Sequence, residues 1–217
     1  MLSNIFKPKS SYELIRLGKD NDGGYLVCPN SISKSTKLIS FGLGTDWSFE
    51  NDVLILRNIP IDIYDHTIDN LFWKRYVWNA VGKFIFRKMS LYNFFLALTK
   101  KKSYNNFFSN PNVFHYQRAI SAGNLNNAIL LDEILMNKNY KNIFLKIDIE
   151  GAEYRVLDDL IKYQNIIDCL VIEFHSIDIH MEKIVEFIKK FSLSIIHIHA
   201  NNADFVHNNI PAMIEMT

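Results

Sequence analysis

The sequence is poor in cysteine and has no long apolar run. Its 217 residues include only Cys28 and Cys169, so a disulfide framework and a zinc site of several thiolates are excluded. No apolar run approaches the roughly 18 residues of a membrane span, and the N-terminus lacks the apolar core of a signal peptide. We therefore expect reduced thiols, no transmembrane segment and a cytoplasmic protein.

An excess of one charge is also missing. The chain has 24 Lys and Arg residues against 23 Asp and Glu residues, a balance that disfavours a nucleic-acid binder acting through bulk charge. Hydrophobic residues make up 48% of the chain and charged residues 22%, which excludes global disorder and supports a sizeable core. The length favours a single domain over residues 1–217.

Short apolar runs alternate with amphipathic stretches along most of the chain. The pattern predicts strands over residues 37–41, 59–64, 113–116, 143–147, 169–172 and 194–198, and helices over 49–58, 125–136, 154–163 and 179–191. Asp178 is a plausible N-cap of the last helix. The alternation predicts an α/β fold with an open, mostly parallel sheet and helices on both faces.

Two regions depart from this alternation. Residues 11–28 predict a β-hairpin, because Asp22, Gly23 and Gly24 supply the positive φ of a tight turn. Residues 69–110 form an insertion with 12 aromatic and eight basic residues but a single acid, Asp69. We predict a helical lid here. Its aromatic side chains, Trp73 among them, could stack on sugars, and basic ones such as Arg75 could contact phosphates.

Two other readings of the insertion are open. It could be a helical pair whose aromatic residues belong to the core and whose charges are solvated. It could also be a weak membrane-surface patch, since basic amphipathic helices bind anionic lipid. Its aromatic residues could equally pack against a partner subunit.

Gly42 and Gly44 lie between a predicted strand and a predicted helix. Glycines there let a ligand approach the backbone, and the helix start presents free N–H groups. The next strand ends at Asp65, 23 residues after Gly42, near the offset of about 20 expected for an acid that binds ribose. The alternative for Asp65 is a turn cap. Trp47 stands where a dinucleotide fingerprint has its third glycine, which disfavours NAD.

Polar residues also follow the later strands. Asp148 closes one predicted strand, Glu173 and His175 share a face of another, and His199 follows a third. If these strand ends meet, they could hold a divalent cation, with Asp148, Glu173 and His175 as ligands. His175 could instead be a general base oriented by a carboxylate. For Glu153 we expect only a favourable charge near a helix N-terminus.

Six segments occur in a fixed order: LGKDNDGGYLV, SFGLGTDWSFE, LKIDIEGAEYRVL, LVIEFH, HIHANN and IPAMIEMT. Together they resemble the FkbM-type methyltransferase family, class I enzymes that use S-adenosylmethionine. The resemblance covers nearly the whole chain apart from residues 69–110, and KIDIEGAE is its most specific motif. It implies a Rossmann-like methyltransferase sheet, with IPAMIEMT beginning the last, antiparallel strand. It also implies methylation of sugar hydroxyls, as in cell-surface polysaccharide assembly.

The resemblance also implies roles for particular residues. Gly42 and Gly44 would lie under the methionine part of the cofactor and Asp65 would bind its ribose. The expected cofactor site also includes Asp46, Gly24 and Tyr25. From the positions of the residues, and not from the resemblance, we expect His175 or Asp148 to take the proton of the acceptor hydroxyl. On the same ground we expect Glu173, His199, Trp73 and Arg75 to contact a saccharide or nucleotide sugar. The alternatives are a non-catalytic glycan-binding protein that kept the fold, and an NAD-type oxidoreductase.

Overall fold

A computed structural model describes residues 3–20, 23–121, 128–136, 139–200, 206–207 and 210–217. Its strands are β1 (Ile15–Leu17), β2 (Tyr25–Val27), β3 (Lys37–Phe41), β4 (Ile61–Tyr64), β5 (Val113–Tyr116), β6 (Ala119–Ser121), β7 (Ala128–Leu130), β8 (Ile143–Ile147), β9 (Ile167–Phe174), β10 (Ile198–Ala200), β11 (Val206–His207), β12 (Ile210–Pro211) and β13 (Ile214–Met216). Its α-helices are α1 (Pro29–Lys34), α2 (Ser48–Arg57), α3 (Asn70–Ile85), α4 (Leu91–Phe107), α5 (Leu131–Leu135), α6 (Leu157–Tyr163) and α7 (Ile177–Lys190). Short 3₁₀ turns cover Asn4–Phe6, Glu153–Arg155 and Gln164–Ile166.

Seven strands form the central sheet, in the order β10-β13-β9-β8-β3-β4-β5. The five strands from β9 to β5 are parallel, and β13 runs antiparallel to both β9 and β10. From β3 the chain builds the sheet outward in one direction through β4 and then in the other through β8, so a topological switch point lies between β3 and β8. This confirms the Rossmann-like α/β fold and the antiparallel strand predicted for the C-terminal segment.

Side chains of the central strands alternate between two buried clusters. Ile39 and Leu145 belong to the cluster that includes residues of α5, α6 and α7. Leu38 and Phe144 belong to the opposite cluster, which includes residues of α1 to α4. Because successive side chains of a strand point to opposite faces, a sheet covered on both sides needs apolar residues at every position. The continuous apolar runs of the sequence arise from this.

The strand predictions over residues 37–41, 113–116 and 143–147 agree with β3, β5 and β8. The helix predicted over 125–136 is wrong in its middle, because Ala128–Leu130 is strand β7, paired in parallel with β6, and only Leu131–Leu135 is helical. Residues 125–127 lie outside the described part. The strand predicted over 194–198 is also displaced, since β10 begins at Ile198.

Asp178 does not cap α7. The helix begins at Ile177, and the N-cap residue is Ser176, with a φ of 51° and no side-chain capping hydrogen bond. Asp178 therefore lies within the first helical turn.

The N-terminal hairpin and the helical insertion both form as predicted. Strands β1 and β2 pair antiparallel, although turn residues 21 and 22 lie outside the described residues. The insertion is a helical hairpin of α3 and α4, and its helices begin at side-chain caps, with Asp69 accepting from Phe72 N and Ser90 from Asn93 N. Among the helices that the structure describes, none combines the length and apolar character needed to cross a bilayer.

Candidate functional site

A cavity of about 490 Å³ opens at the carboxyl ends of β3, β4 and β8, beside the switch point of the sheet. It is lined by residues 23, 42–46, 49, 64–67, 118–120, 146, 148–150 and 152. A smaller cavity of about 270 Å³ lies at the start of β9 and is lined by both cysteines, which are free thiols. Because open α/β sheets bind ligands at the carboxyl ends of their strands, the larger cavity is the candidate site.

The loop after β3 needs glycine for two different reasons. Gly42 has a φ of +83°, and a Cβ there would lie 1.6 Å from the carbonyl oxygen of Asp148, so a side chain cannot fit where the loop passes the end of β8. Gly44 has a φ of +54°, and no atom lies within 4 Å of a Cβ placed there, so its bare backbone faces open space. Gly42 therefore shapes the loop, and Gly44 leaves room for a ligand.

Asp65 holds this loop in place. Its Oδ2 accepts hydrogen bonds from Leu43 N and Gly44 N, both at 2.9 Å, and its Oδ1 accepts from Thr67 N at 2.7 Å and from the Thr67 hydroxyl at 2.6 Å. Burial alone raises the pKa of Asp65, but these hydrogen bonds outweigh it and lower the pKa from its usual 3.8. The Thr67 contacts match the turn-cap alternative, and the predicted ribose contact stays a prediction. We call residues 42–46 and Asp65 the glycine-loop wall.

Asp46 closes the outer end of this wall. Its Oδ2 lies 2.8 Å from Lys19 Nζ, and its Oδ1 accepts from Ser48 N at 3.1 Å. Burial raises the pKa of Asp46, but the hydrogen bonds from Lys19 and Ser48 lower it by more, so the net shift is downward. Gly23 lies against the same carboxylate, since a Cβ there would come within 2.8 Å of Asp46 Oδ2. The N-terminal hairpin therefore contributes one edge of the cavity.

A buried ion pair supports the loop from beneath. Lys146 Nζ donates to the carbonyl of Gly42 at 3.0 Å and lies 3.3 Å from Glu50 Oε1, which also accepts from the Ser40 hydroxyl at 2.6 Å. Burial lowers the pKa of Lys146, but attraction by Glu50 and Asp148 reverses this and raises it above its usual value. Lys146 is therefore charged, and it fixes the main chain of Gly42.

Two predicted cofactor residues lie behind the cavity instead of lining it. A Cβ at Gly24 would lie 1.9 Å from the carbonyl oxygen of Lys19, so this glycine serves the hairpin turn. Tyr25 is buried, and its hydroxyl lies 3.2 Å from Asp148 Oδ2 and 3.3 Å from Glu173 Oε2. Burial, together with these two carboxylates, holds the pKa of Tyr25 well above its usual 10. Tyr25 therefore orients Asp148 from the rear, with Glu173 in the buried layer beside it.

On the opposite side of the cavity, Glu153 is fully buried. Its Oε1 accepts from Ile149 N and Gly151 N, both at 3.1 Å, and lies 3.0 Å from His175 Nδ1. The interpretation of Glu153 as a simple helix-dipole charge is therefore wrong. It folds the turn after β8 and orients the imidazole of His175. We call Asp148, Glu150, Glu153 and His175 the acidic wall, of which Asp148 and Glu150 line the cavity whereas Glu153 and the predicted base His175 do not.

The acidic wall changes the protonation of His175. Burial lowers the pKa of this imidazole, but the hydrogen bond and charge of Glu153, with Glu173 and Asp148 further away, raise it to about 9. His175 Nε2 lies 3.5 Å from Glu150 Oε2, on a side chain that is 88% exposed. At neutral pH the imidazole is therefore mainly protonated, because its two nitrogens both face carboxylates.

Asp148, Glu150 and His175 each offer one ligand atom, and the three atoms lie within 4.8 Å of one another. Of the predicted cation ligands, Asp148 and His175 belong to this set, whereas Glu173 does not, and its Oε2 lies 3.3 Å from the Tyr25 hydroxyl. Glu150 has a φ of +54°, a left-handed conformation that strand alternation does not anticipate.

The predicted substrate residues do not all reach the cavity surface. Trp73 is only 4% exposed and packs on Tyr104 with ring centroids 5.1 Å apart, so the alternative in which it belongs to the core is correct. Arg75 is exposed on α3, and His199 is exposed on β10 opposite Glu215. None of these three lines the cavity.

Several cavity residues escaped the sequence analysis. Arg118 lines the cavity just after β5, and Tyr64 lines it at the end of β4, stacked on Tyr116 at 4.7 Å. The rule that identified Asp65, that side chains at the ends of parallel strands converge, could have found both. Trp47 was considered only as the residue that replaces the third glycine of a dinucleotide fingerprint. In the structure it is buried against Phe107 and anchors the helical hairpin beside the loop.

A comparison with sequence models of protein families identifies the family of this chain. A sequence model of the methyltransferase FkbM domain matches residues 88–210, more than half of the chain and the whole acidic wall. No curated protein matches the sequence. A solved structure of an rRNA methylase from Streptococcus thermophilus is similar over 86% of this chain and 90% of its own, with 11% identity and a TM-score of 0.42. This chain is a methyltransferase and belongs to the FkbM methyltransferase domain family.

Proposed function

We propose that this protein transfers the methyl group of S-adenosylmethionine to a hydroxyl oxygen of a saccharide. The observation that carries the proposal is a single cavity with two unlike walls. One wall is a glycine loop fixed by Asp65. The other contains Asp148 and Glu150, and Glu150 contacts the imidazole of the Glu153–His175 pair, which lies outside the cavity lining. The first suits a nucleoside ligand, and the second suits proton removal from an acceptor.

Open space and negative charge in the cavity support this proposal. The space beside Gly44 is open to a ligand, and the lining includes four carboxylates, those of Asp46, Asp65, Asp148 and Glu150. When bound, the cofactor supplies an electrophilic methyl group on a positively charged sulfur, which carboxylates attract. The residues that would hold it are Gly42, Gly44 and Asp46 along the loop, with Asp65 at the ribose.

Asp65 would bind the ribose by exchange. A carboxylate offers about four acceptor sites, and the loop and Thr67 already provide four donors. A ribose hydroxyl would therefore share an oxygen with one of these donors or replace it. The same carboxylate would then fix the loop and recognise the cofactor.

His175 would act as the base in the fraction of molecules whose imidazole is neutral. Glu153 positions the ring through Nδ1, which leaves Nε2 directed toward Glu150, a residue that lines the cavity. Because the pKa of His175 is about 9, turnover should rise with pH toward that value. Asp148, whose carboxylate lines the cavity, is the alternative base.

A divalent cation is a second candidate for activating the hydroxyl. The observation that favours it is the set of Asp148, Glu150 and His175, which offers two carboxylates and an imidazole to one point. Glu153 would then support the imidazole ligand from behind, as carboxylates commonly do. A cation would compete with the proton on Nε2, so dialysis against a chelator should abolish turnover only if this candidate is correct.

For the acceptor we propose a sugar or nucleotide sugar used in cell-surface polysaccharide assembly. The support is the family resemblance, together with the exposed position of Arg75, which could contact a sugar phosphate. Family membership favours methyl transfer over the NAD-type oxidoreductase. A non-catalytic glycan-binding protein stays as an outcome of the test.

The test separates cofactor binding from transfer. We expect calorimetry to detect binding of S-adenosylhomocysteine but not of NAD. We expect Asp65→Asn to weaken the affinity for S-adenosylhomocysteine by roughly tenfold, because an amide cannot replace all four acceptor contacts. We expect His175→Ala to keep the affinity and lose transfer of labelled methyl groups to a panel of nucleotide sugars and glycans. Wild-type turnover in His175→Ala would remove that residue from the mechanism, and unchanged affinity in Asp65→Asn would remove Asp65. Tight cofactor binding without transfer to any acceptor would favour the non-catalytic alternative.

A further inference from the structure

The helical hairpin of α3 and α4 exposes apolar side chains at high density. Among the described residues, 17 large apolar side chains are exposed, and ten of them lie between residues 70 and 110. They are Leu71, Trp78, Phe84, Ile85, Phe86, Leu91, Tyr92, Phe95, Leu96 and Leu98. Apolar groups concentrated on one projecting element indicate an interaction site, whereas scattered ones need no explanation.

These side chains follow helical spacing on each helix. On α3, Leu71, Trp78 and Ile85 are seven residues apart and therefore lie on one stripe. On α4, Leu91, Phe95 and Leu98 recur at the spacing of one helical face. The two helices contact each other through the stacked rings of Phe84 and Phe94, whose centroids are 4.5 Å apart.

The hairpin also has a charge unlike the rest of the chain. Residues 70–110 contain eight Lys and Arg residues and no Asp or Glu, whereas the remaining residues contain 16 basic and 23 acidic ones. Lys83, Arg87 and Lys88 are exposed around the tip, next to Ile85 and Phe86. The helical hairpin is therefore strongly cationic, whereas the rest of the chain has a net negative charge.

We propose that the tip of this hairpin docks on an anionic lipid surface. Ile85, Phe86 and Leu91 would enter the interfacial region, while the surrounding lysine and arginine side chains contact anionic headgroups. Membrane-surface helices combine these two features, an apolar face and basic residues without acidic ones. A second copy of the chain is a poorer occupant, because two tips of the same charge repel each other.

Vesicle binding by the full chain tests the proposal. We expect sedimentation with vesicles of about one-third phosphatidylglycerol in phosphatidylcholine, at least about tenfold weaker binding to pure phosphatidylcholine, and release as salt rises from about 0.1 M to about 1 M. Equal binding to both vesicles, or none to the anionic ones, would overturn the proposal.

Matched variants locate the surface. Lys83→Glu with Lys88→Glu reverses two tip charges, and Ile85→Ser with Phe86→Ser removes two apolar contacts. We expect each pair to lose at least about tenfold in binding to anionic vesicles. The controls Lys34→Glu on α1 and Ile179→Ser on α7 are exposed elsewhere and should bind as wild type. Equal losses of vesicle binding in the controls would contradict the assignment. It would also be contradicted if the wild-type protein bound no vesicles but formed a dimer in sedimentation velocity, and if Ile85→Ser with Phe86→Ser disrupted that dimer.

A fluorescence measurement on the unmodified protein avoids any folding defect. Trp78 is 74% exposed, whereas the other two tryptophans, Trp47 and Trp73, are at most 8% exposed. Anionic vesicles should therefore shift the tryptophan emission to shorter wavelength through Trp78 alone. Unchanged emission in the presence of saturating anionic vesicles would count against the proposal.

Discussion

The glycine-loop wall and the acidic wall both bury charge, but they do so with opposite effects on protonation. On the glycine-loop wall, hydrogen bonds from backbone and side-chain donors lower the pKa of Asp46 and Asp65. On the acidic wall, burial lowers the pKa of His175, but Glu153, with smaller contributions from Glu173 and Asp148, raises it to about 9. The carboxylates of the glycine-loop wall therefore stay charged near neutral pH. On the acidic wall, His175 carries a proton at neutral pH and can release it as the pH rises.

Removing the support beneath the glycine-loop wall should have the largest effect. In Lys146→Met, the fully buried Glu50 loses its cation, and we expect about 3–5 kcal/mol of lost stability in urea unfolding. In Lys146→Met with Glu50→Gln the buried charge is gone, so most of the loss should be recovered. A double variant as unstable as the single one would show that Lys146 acts through Gly42 instead.

The loop itself comes next. Gly42→Ala should cost about 3 kcal/mol and abolish S-adenosylhomocysteine binding, because the new methyl group meets the Asp148 carbonyl at a φ that alanine disfavours. Gly82→Ala is the control, since its Cβ meets no neighbour within 4 Å on α3, and it should gain about 0.5–1 kcal/mol. If Gly42→Ala bound S-adenosylhomocysteine normally, the glycine-loop wall and the end of β8 could move apart without loss of the binding site.

The smallest effect should appear on the acidic wall, and it should depend on pH. A histidine whose pKa rises from 6.5 to about 9 on folding adds stability that is complete below pH 6.5 and is lost as the pH rises through 9. Glu153→Gln should therefore cost roughly 2 kcal/mol at pH 6 and much less above pH 9, and should move the rise of turnover to lower pH.

Glu150→Gln is the matched control for that prediction. Its side chain is 88% exposed, so solvent screens its charge and its effect on stability should be small at every pH. A pH-independent loss in Glu153→Gln would assign Glu153 to folding of the turn alone, without influence on His175.

The sequence was most informative where side-chain direction follows a simple period. Strands β3 and β8 are short apolar runs buried on both faces, so their bounds could be predicted, and the positions of Gly42 and Asp148 at strand ends followed from them. The predicted end of β4 placed Asp65 in the same way. The convergence of Asp148 with Glu173 is also correct, since the Tyr25 hydroxyl contacts both carboxylates.

The roles of Glu150 and Glu153 could not be predicted in this way. They lie in a turn where Glu150 and Gly151 have positive φ, so neither the period of a strand nor that of a helix gives their direction. The hydrogen bonds that occupy Asp65 were hidden for a related reason, because three of the four donors are backbone groups that any residue carries. The helix predicted over 125–136 failed because Ile129 and Leu130 suit a strand as well as a helix.

One imidazole connects the base of the helical hairpin to the strand end that borders the cavity. His115 Nε2 lies 2.9 Å from the main-chain oxygen of Asp65, which only accepts, so that nitrogen carries the hydrogen and Nδ1 accepts from the Tyr104 hydroxyl on α4. Burial lowers the pKa of His115, in keeping with this neutral tautomer. A tilt of the helical hairpin at its base would therefore move the end of β4, where Asp65 borders the cavity. The His115 ring is thus a mechanical connection between the hairpin and the cavity.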